Sequence, residues 1–138
     1  MDVPLTLIPM DGGGCHLMAH ALINGLKANV LVDTGASRTV MDLSRARRFL
    51  KDIPIESYGK SFTGLGAEPL QTYMAHLPGF NLGGVDFPDF QVLLIDMLEL
   101  QRSYAAHDLP RIDIVLGGDL LNRLGAVIDY SNKCLKIC

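Results

Sequence analysis

Asp33 is the residue best placed to do chemistry. It follows Asn29-Val30-Leu31-Val32 and precedes Thr34-Gly35-Ala36-Ser37. A carboxylate at the end of a buried apolar strand is costly unless something pairs with it or uses it. Such a group can take or give a proton, hold a cationic ligand, or accept backbone N–H groups as a turn at the strand exit. An isolated Asp-Thr-Gly does not separate these uses, so the surrounding pattern has to. Two other strings recur with it: Gly64-Leu65-Gly66, and Ile114-Val115-Leu116-Gly117 leading into Asp119-Leu120-Leu121. Asp119 reads as the N-cap of a helix over 119–124, and Asp129 as a strand-end or turn residue.

Other candidate groups are weaker. Cys15, Cys134 and Cys138 do not make an even disulfide set, and they show no zinc-finger spacing. They read as reduced thiols. His16, His20, His76 and His107 are scattered. His16 and His20 share strand parity, yet polar-face histidines are the simpler reading than a metal pair. No metal or other cofactor is expected.

The elements that must position these residues are mostly short strands. Val3–Ile8 is a first apolar run, closed by Pro9 and a turn at Asp11-Gly12-Gly13-Gly14. Cys15–Ile23 and Leu26–Val32 flank Asn24-Gly25, a strong hairpin signal because both positions tolerate positive φ. Thr39–Met41 is a short strand. Asp42 can cap a helix over Leu43–Lys51, with Pro54 beyond it. Ser57–Thr63 and Leu70–His76 read as two arms around the glycine-rich tip. Phe87–Ile95 reads as one strand and Asp96–Ala106 as a short helix. Ile112–Leu116 is apolar, and Gly125 ends the 119–124 helix. Ala126–Tyr130 and Cys134–Ile137 then flank Ser131-Asn132-Lys133 as a hairpin.

Composition bounds the rest. Across 138 residues, 49% are hydrophobic and 20% charged, enough for one domain over 1–138 with a real core. The net charge is −3, from 12 Lys+Arg and 15 Asp+Glu, which argues against a nucleic-acid footprint. No apolar run approaches a membrane span. A small, soluble, cytoplasmic domain without nucleic-acid or membrane partners is expected.

Taken in order, Asp33-Thr34-Gly35-Ala36-Ser37, Gly64-Leu65-Gly66 and Val115-Leu116-Gly117 resemble the retroviral-type (retropepsin-like) aspartic proteases. The resemblance runs from about Cys15 to Ile137, and segment 96–111 looks like an insertion. It implies an all-β fold: a small closed acid-protease barrel with two or three short helices. It implies a catalytic Asp33 acting on a peptide or protein substrate. Thr34 would then hydrogen-bond across to a partner loop, and Ser37 would contact the substrate backbone. Gly64, Leu65 and Gly66 would form a flap tip over the bound peptide. Val115, Leu116 and Gly117 would pack behind the Asp33 loop and keep it rigid.

The chemistry fits those residue types. Hydrolysis without a metal or nucleophilic side chain needs a base to activate water and an acid to protonate the amide. Two carboxylates sharing one proton do both. The chain supplies one Asp-Thr-Gly, so the resemblance implies a homodimer with Asp33 of each subunit on the two-fold axis. The terminal strands could join the subunits or complete each subunit's own barrel. Ala36 departs from the Asp-Thr-Gly-Ser of pepsin-like loops. It cannot donate a hydroxyl hydrogen bond to the outer carboxylate oxygen, which implies a less acidic optimum. The competing readings are a non-catalytic protease-like binding or dimerisation module, and a pocket domain in which Asp33 binds a cationic ligand.

Overall fold

The structure is a computed structural model in which residues 1–61, 70–87 and 89–137 are described. It is mostly β. The strands are β1 (Asp2–Pro4), β2 (Thr6–Pro9), β3 (Cys15–Ile23), β4 (Leu26–Val32), β5 (Val40–Asp42), β6 (Glu56–Ser61), β7 (Leu70–Leu77), β8 (Phe80–Leu82), β9 (Val85–Phe87), β10 (Phe90–Ile95), β11 (Ile114–Leu116), β12 (Val127–Asp129) and β13 (Cys134–Lys136). The helices are α1 (Ala46–Leu50), α2 (Leu98–Ala106) and α3 (Gly118–Arg123).

The β3–β4 hairpin forms where expected. Asn24 and Gly25 take φ of 49° and 81°, the left-handed pair that matches the twist of antiparallel arms. β4 then lies parallel to β11, with Val30, Leu31 and Val32 opposite Ile114, Val115 and Leu116. Strands in parallel pairs are covered on both faces, which is why these segments read as unbroken apolar runs. Val30, Val32, Ile114 and Leu116 enter the main core with Met41, Phe49, Leu77 and Leu94. Leu31 and Val115 point the other way, into a second apolar layer with Ile8, Met18, Met97, Tyr104 and Ile112.

The larger sheet runs β6-β7-β10-β5-β11-β4-β3-β8-β9, with β2 added to β3. No pairing among the described residues closes this path into the expected barrel. The second sheet, β1-β13-β12, holds the chain termini together. Met1 N and Ile137 O are 2.9 Å apart, and Ile137 N donates to Met1 O at 2.8 Å.

Several boundaries differ from expectation. Val3–Ile8 is two strands, because β1 pairs with β13 while β2 pairs with β3. Leu5 turns between them, its N–H donating to Lys133 O at 2.9 Å. The expected strand over Phe87–Ile95 is the end of β9 and the whole of β10, and β8 and β9 form an unforeseen hairpin. Its turn uses Gly83 and Gly84 at φ of 59° and 86°. The helix expected after Asp42 starts as a 3₁₀ turn over Leu43–Arg45 and becomes α1.

Segment 96–111 carries α2 and covers the second layer. Tyr104 is buried and stacks on His16 with ring centroids 5.6 Å apart, its hydroxyl hydrogen-bonded to His16 Nδ1. Polar contacts tie this segment and the residues just after it to the sheet. Asp42 is 1% exposed, and its carboxylate accepts Ser44 Oγ (2.9 Å), Met97 N (3.3 Å), Gln101 Nε2 (2.9 Å) and Arg111 Nη2 (3.2 Å). Asp113 is buried too, and accepts Arg45 Nε and Asn29 N, each at 2.7 Å. Burial pushes the Asp42 pKa up, but the hydrogen bonds from Ser44, Gln101 and Met97 outweigh it and hold the group below the usual carboxylate value.

Asp42→Asn is therefore expected to cost about 1–3 kcal/mol at neutral pH, measured by denaturant unfolding. A lowered folded-state pKa gives stabilisation that is present above the unfolded-state pKa and is lost as pH falls through the folded one. The stability gap between parent and variant should thus narrow below about pH 4. A gap that widens on acidification contradicts this account.

Candidate active site

β4 delivers Asp33 to the surface. Its N–H donates to Leu116 O at 3.0 Å, extending the β4–β11 pairing by one residue before the chain turns. The Asp33 side chain is exposed. Gly35 N–H donates to Asp33 Oδ1 at 2.9 Å, and Ala36 N–H donates to Asp33 O at 3.2 Å. A Cβ on residue 35 would lie 3.2 Å from Asp33 Oδ1, so glycine lets the turn wrap this closely around the carboxylate. Oδ2 has no hydrogen-bond partner among the described residues.

A second loop, 116–119, is laced to the first. Gly118 N–H donates to Ala36 O at 2.7 Å and Asp119 N–H to Ser37 O at 3.1 Å. Gly117 sits where the loops are closest: a Cβ there would lie 2.7 Å from both Arg38 C and O, and 2.8 Å from Ala36 O. Beneath them Thr39 is fully buried. Its hydroxyl accepts from Gly117 N–H at 3.1 Å and donates to Asp119 Oδ1 at 2.7 Å.

Asp33, Thr34, Gly35, Ala36 and Ser37 thus form one turn, with Val115, Leu116 and Gly117 beside it. Thr34 and Ser37 are exposed, while Ala36 is half-buried against the second apolar layer. Gly64, Leu65 and Gly66 lie outside the described residues; β6 and β7, which flank them, pair antiparallel from Glu56↔Met74 to Ser61↔Leu70.

Asp119 is not the expected N-cap. α3 starts at Gly118 with Gly117 as its N-cap, placing Asp119 inside the first turn. Its carboxylate takes the Thr39 hydroxyl and its own neighbour Leu120 N–H, and lies 3.7 Å from Arg38 Nε. Arg38 also donates to Gln91 Oε1 of β10 at 3.0 Å. Arg38, Thr39 and Gln91 carry no sequence signal of their own. Asp129 is the strand-end residue of β12: Asn132 N–H and Nδ2, together with Lys136, hold its pKa down to about 2.

The arrangement is one carboxylate with one oxygen fixed and one facing outward. The carboxylates of Asp119 and Asp129 are each engaged elsewhere. No group of three or more His, Cys, Asp or Glu able to hold a metal occurs among the described residues.

Residues 19–120 match the protein family described as aspartyl protease, a span that contains both loops. The chain belongs to the aspartyl protease family. No curated protein sequence matches it. Solved structures share the fold at low identity. EIAV protease in complex with the inhibitor HBY-793 is 21% identical, with a TM-score of 0.61 over 89% of this chain and 100% of that one. A retropepsin-like aspartic protease from Rickettsia conorii is 20% identical, with a TM-score of 0.60 over 98% and 86%. The retroviral protease-like domain of Ddi1 from Leishmania major is 22% identical, with a TM-score of 0.59 over 88% and 87%. The fold of this aspartyl protease family chain is therefore retropepsin-like.

Close packing at Gly117 gives a direct test of the laced loops. Gly117→Ala should destabilise the protein by about 1–3 kcal/mol, because the new methyl meets backbone rather than a movable side chain. Gly14→Ala, where a Cβ meets nothing within 4 Å, serves as the control and should stay within about 0.5 kcal/mol. Equal effects in the two unfolding curves would contradict the close approach.

Proposed function

We propose that the chain, as one domain over 1–138, is one subunit of a homodimeric aspartic endopeptidase. The Asp33 carboxyls of two copies meet on the two-fold axis and hold one proton between them. The ionised member takes a proton from a water molecule as that water attacks the peptide carbonyl. The protonated member donates a hydrogen bond to the carbonyl oxygen, and the proton taken from water passes to the leaving amine nitrogen as the C–N bond breaks, which returns the pair to its one-proton state. Two like carboxylates at hydrogen-bonding distance cannot both ionise easily, so the pair titrates as a unit.

The observation that carries this reading is the state of Asp33. Two laced loops hold it in place, one oxygen is fixed by Gly35 N–H, and the other faces outward. Asp119 and Asp129 are committed to other partners, so a second copy is the natural source of the second carboxylate. The β1-β13-β12 sheet supports a dimer as well. Its outer strand β12 carries Val127, 56% exposed, and leads to Tyr130, 57% exposed. An open strand edge with exposed apolar groups favours pairing. Free Cys15 and Cys134 fit a cytoplasmic setting. Among the described residues no helix is long and apolar enough to cross a membrane.

A peptide-library cleavage assay from about pH 3 to 7, with Asp33→Asn as control, tests the proposal. The parent should cleave, and Asp33→Asn should lose at least about a thousandfold in kcat while sedimenting as the same dimer. Activity retained in Asp33→Asn overturns the catalytic role. A folded parent dimer that cleaves nothing assigns the non-catalytic binding or dimerisation module instead. Where cleavage is seen, the missing hydroxyl at Ala36 sets the pH dependence. Ala36→Ser adds a donor that favours the ionised form, so the acidic limb of the rate profile should move to lower pH. A parent profile peaking at about pH 2 contradicts the role given to Ala36.

A further inference from the structure

We infer that Thr39 and Asp119 are positioning residues for Asp33, acting through one buried hydroxyl that joins the two loops; this rests on the reading of Asp33 as the catalytic group. Thr39 is fully buried one residue before β5. A buried hydroxyl left without partners is costly, and this one has both its roles filled. It donates to Asp119 Oδ1 at 2.7 Å and accepts from Gly117 N–H at 3.1 Å. The acceptor is a carboxylate, so the O–H direction is fixed and the bond is strong.

The position of that bond gives it leverage. Gly117 N–H lies between the contacts that hold the Asp33 turn: Leu116 O, which receives Asp33 N–H, and Gly118 and Asp119 N–H, which hold Ala36 O and Ser37 O. The packing against Gly117 leaves no room for a Cβ, and its N–H is taken by the Thr39 hydroxyl. Thr39 is thus the partner that Gly117 N–H has at this crossing. Asp119 is fixed in turn by Leu120 N–H at 2.8 Å and by Arg38, which reaches across to Gln91 on β10. The chain of contacts runs from β10 through Arg38, Asp119 and Thr39 to the backbone that carries Asp33. Small displacements of a reacting group are expensive in rate, so a contact remote from the substrate can set kcat.

The test uses the full chain with Thr39→Val, Thr39→Ser and Asp119→Asn. Thr39→Val keeps the shape and removes the hydroxyl. It should lower kcat by about 10- to 100-fold with KM within about twofold. Thr39→Ser should restore most of the rate. Asp119→Asn keeps an oxygen for the hydroxyl but loses the charge, and should fall in between. Amide hydrogen exchange at Asp33, Gly117 and Gly118 should quicken in Thr39→Val and recover in Thr39→Ser. Unchanged kcat, a loss that serine does not rescue, or a lower melting temperature with unaltered kcat in the folded dimer overturns the proposal. Exchange separates the two claims when the parent proves inactive. Faster exchange in Thr39→Val then supports the clamp while the catalytic reading falls, and unchanged exchange overturns the clamp whatever the activity.

Discussion

Everything at the candidate site depends on β11 lying parallel to β4 between two apolar layers. Each of Val30, Leu31, Val32, Ile114, Val115 and Leu116 is buried, and each contributes about 1.5–3 kcal/mol when fully taken from water. A single hydrogen bond contributes about 1 kcal/mol net. Apolar burial on both faces therefore places the strand pair, and hydrogen bonds place only its last residues. Asp33 begins where the burial stops. Its backbone is still paired to Leu116 O, while its side chain has left the core. A carboxylate one residue earlier would sit in the interior and need compensation of its own.

The second layer has to be completed, and segment 96–111 helps complete it. Its centre is apolar: Met97 and Tyr104 pack on Leu31 and Val115, under the strands that carry Asp33. At its C-terminal end Arg111 meets Asp42, and just beyond it Asp113 meets Arg45, each carboxylate buried and each satisfied by further N–H donors. Such pairs add little net stability beside a well-packed apolar alternative, yet removing one partner is costly. Their effect here is to fix which strands this segment spans. Gln101 makes this clear, since its amide donates to Ile112 O and accepts Ile112 N–H while also reaching Asp42.

What could be read from the chain were features whose cause is local. Asn24-Gly25 makes its turn through its own φ values, and Asp33-Thr34-Gly35 through contacts two residues apart. Cys15–Ile23 and Leu26–Val32 matched β3 and β4 because their patterns end at those turns. What was not legible depends on partners far along the chain. Val3–Ile8 does carry a break signal in Pro4, where β1 ends, but not the partner: β13, from the other end of the chain, claims β1 and Leu5 turns out of it. The three-residue arms of the β8–β9 hairpin are too short to show a period, and its Gly83-Gly84 turn went unread. Asp119 resembled an N-cap because its true partner, Thr39, is 80 residues away. Nothing near position 119 announces that hydroxyl.

The carboxylates of the chain divide by what answers their charge. Asp42 and Asp113 are buried and answered by arginine, Asp119 by Thr39 and Arg38, and Asp129 by Asn132 and Lys136. Asp33 differs from these four, having one N–H donor from its own turn and an outward-facing oxygen. Carried into a dry interface alone, such a group would lose its water and gain no partner. Met by its own copy, it gains an acceptor for a shared proton. In the proposed dimer the ionised carboxylate accepts the hydrogen bond that the protonated one donates, so closing the interface takes up a proton. Association and catalysis would then draw on the same proton: the one that lets two like charges meet also leaves one carboxyl as acid and the other as base.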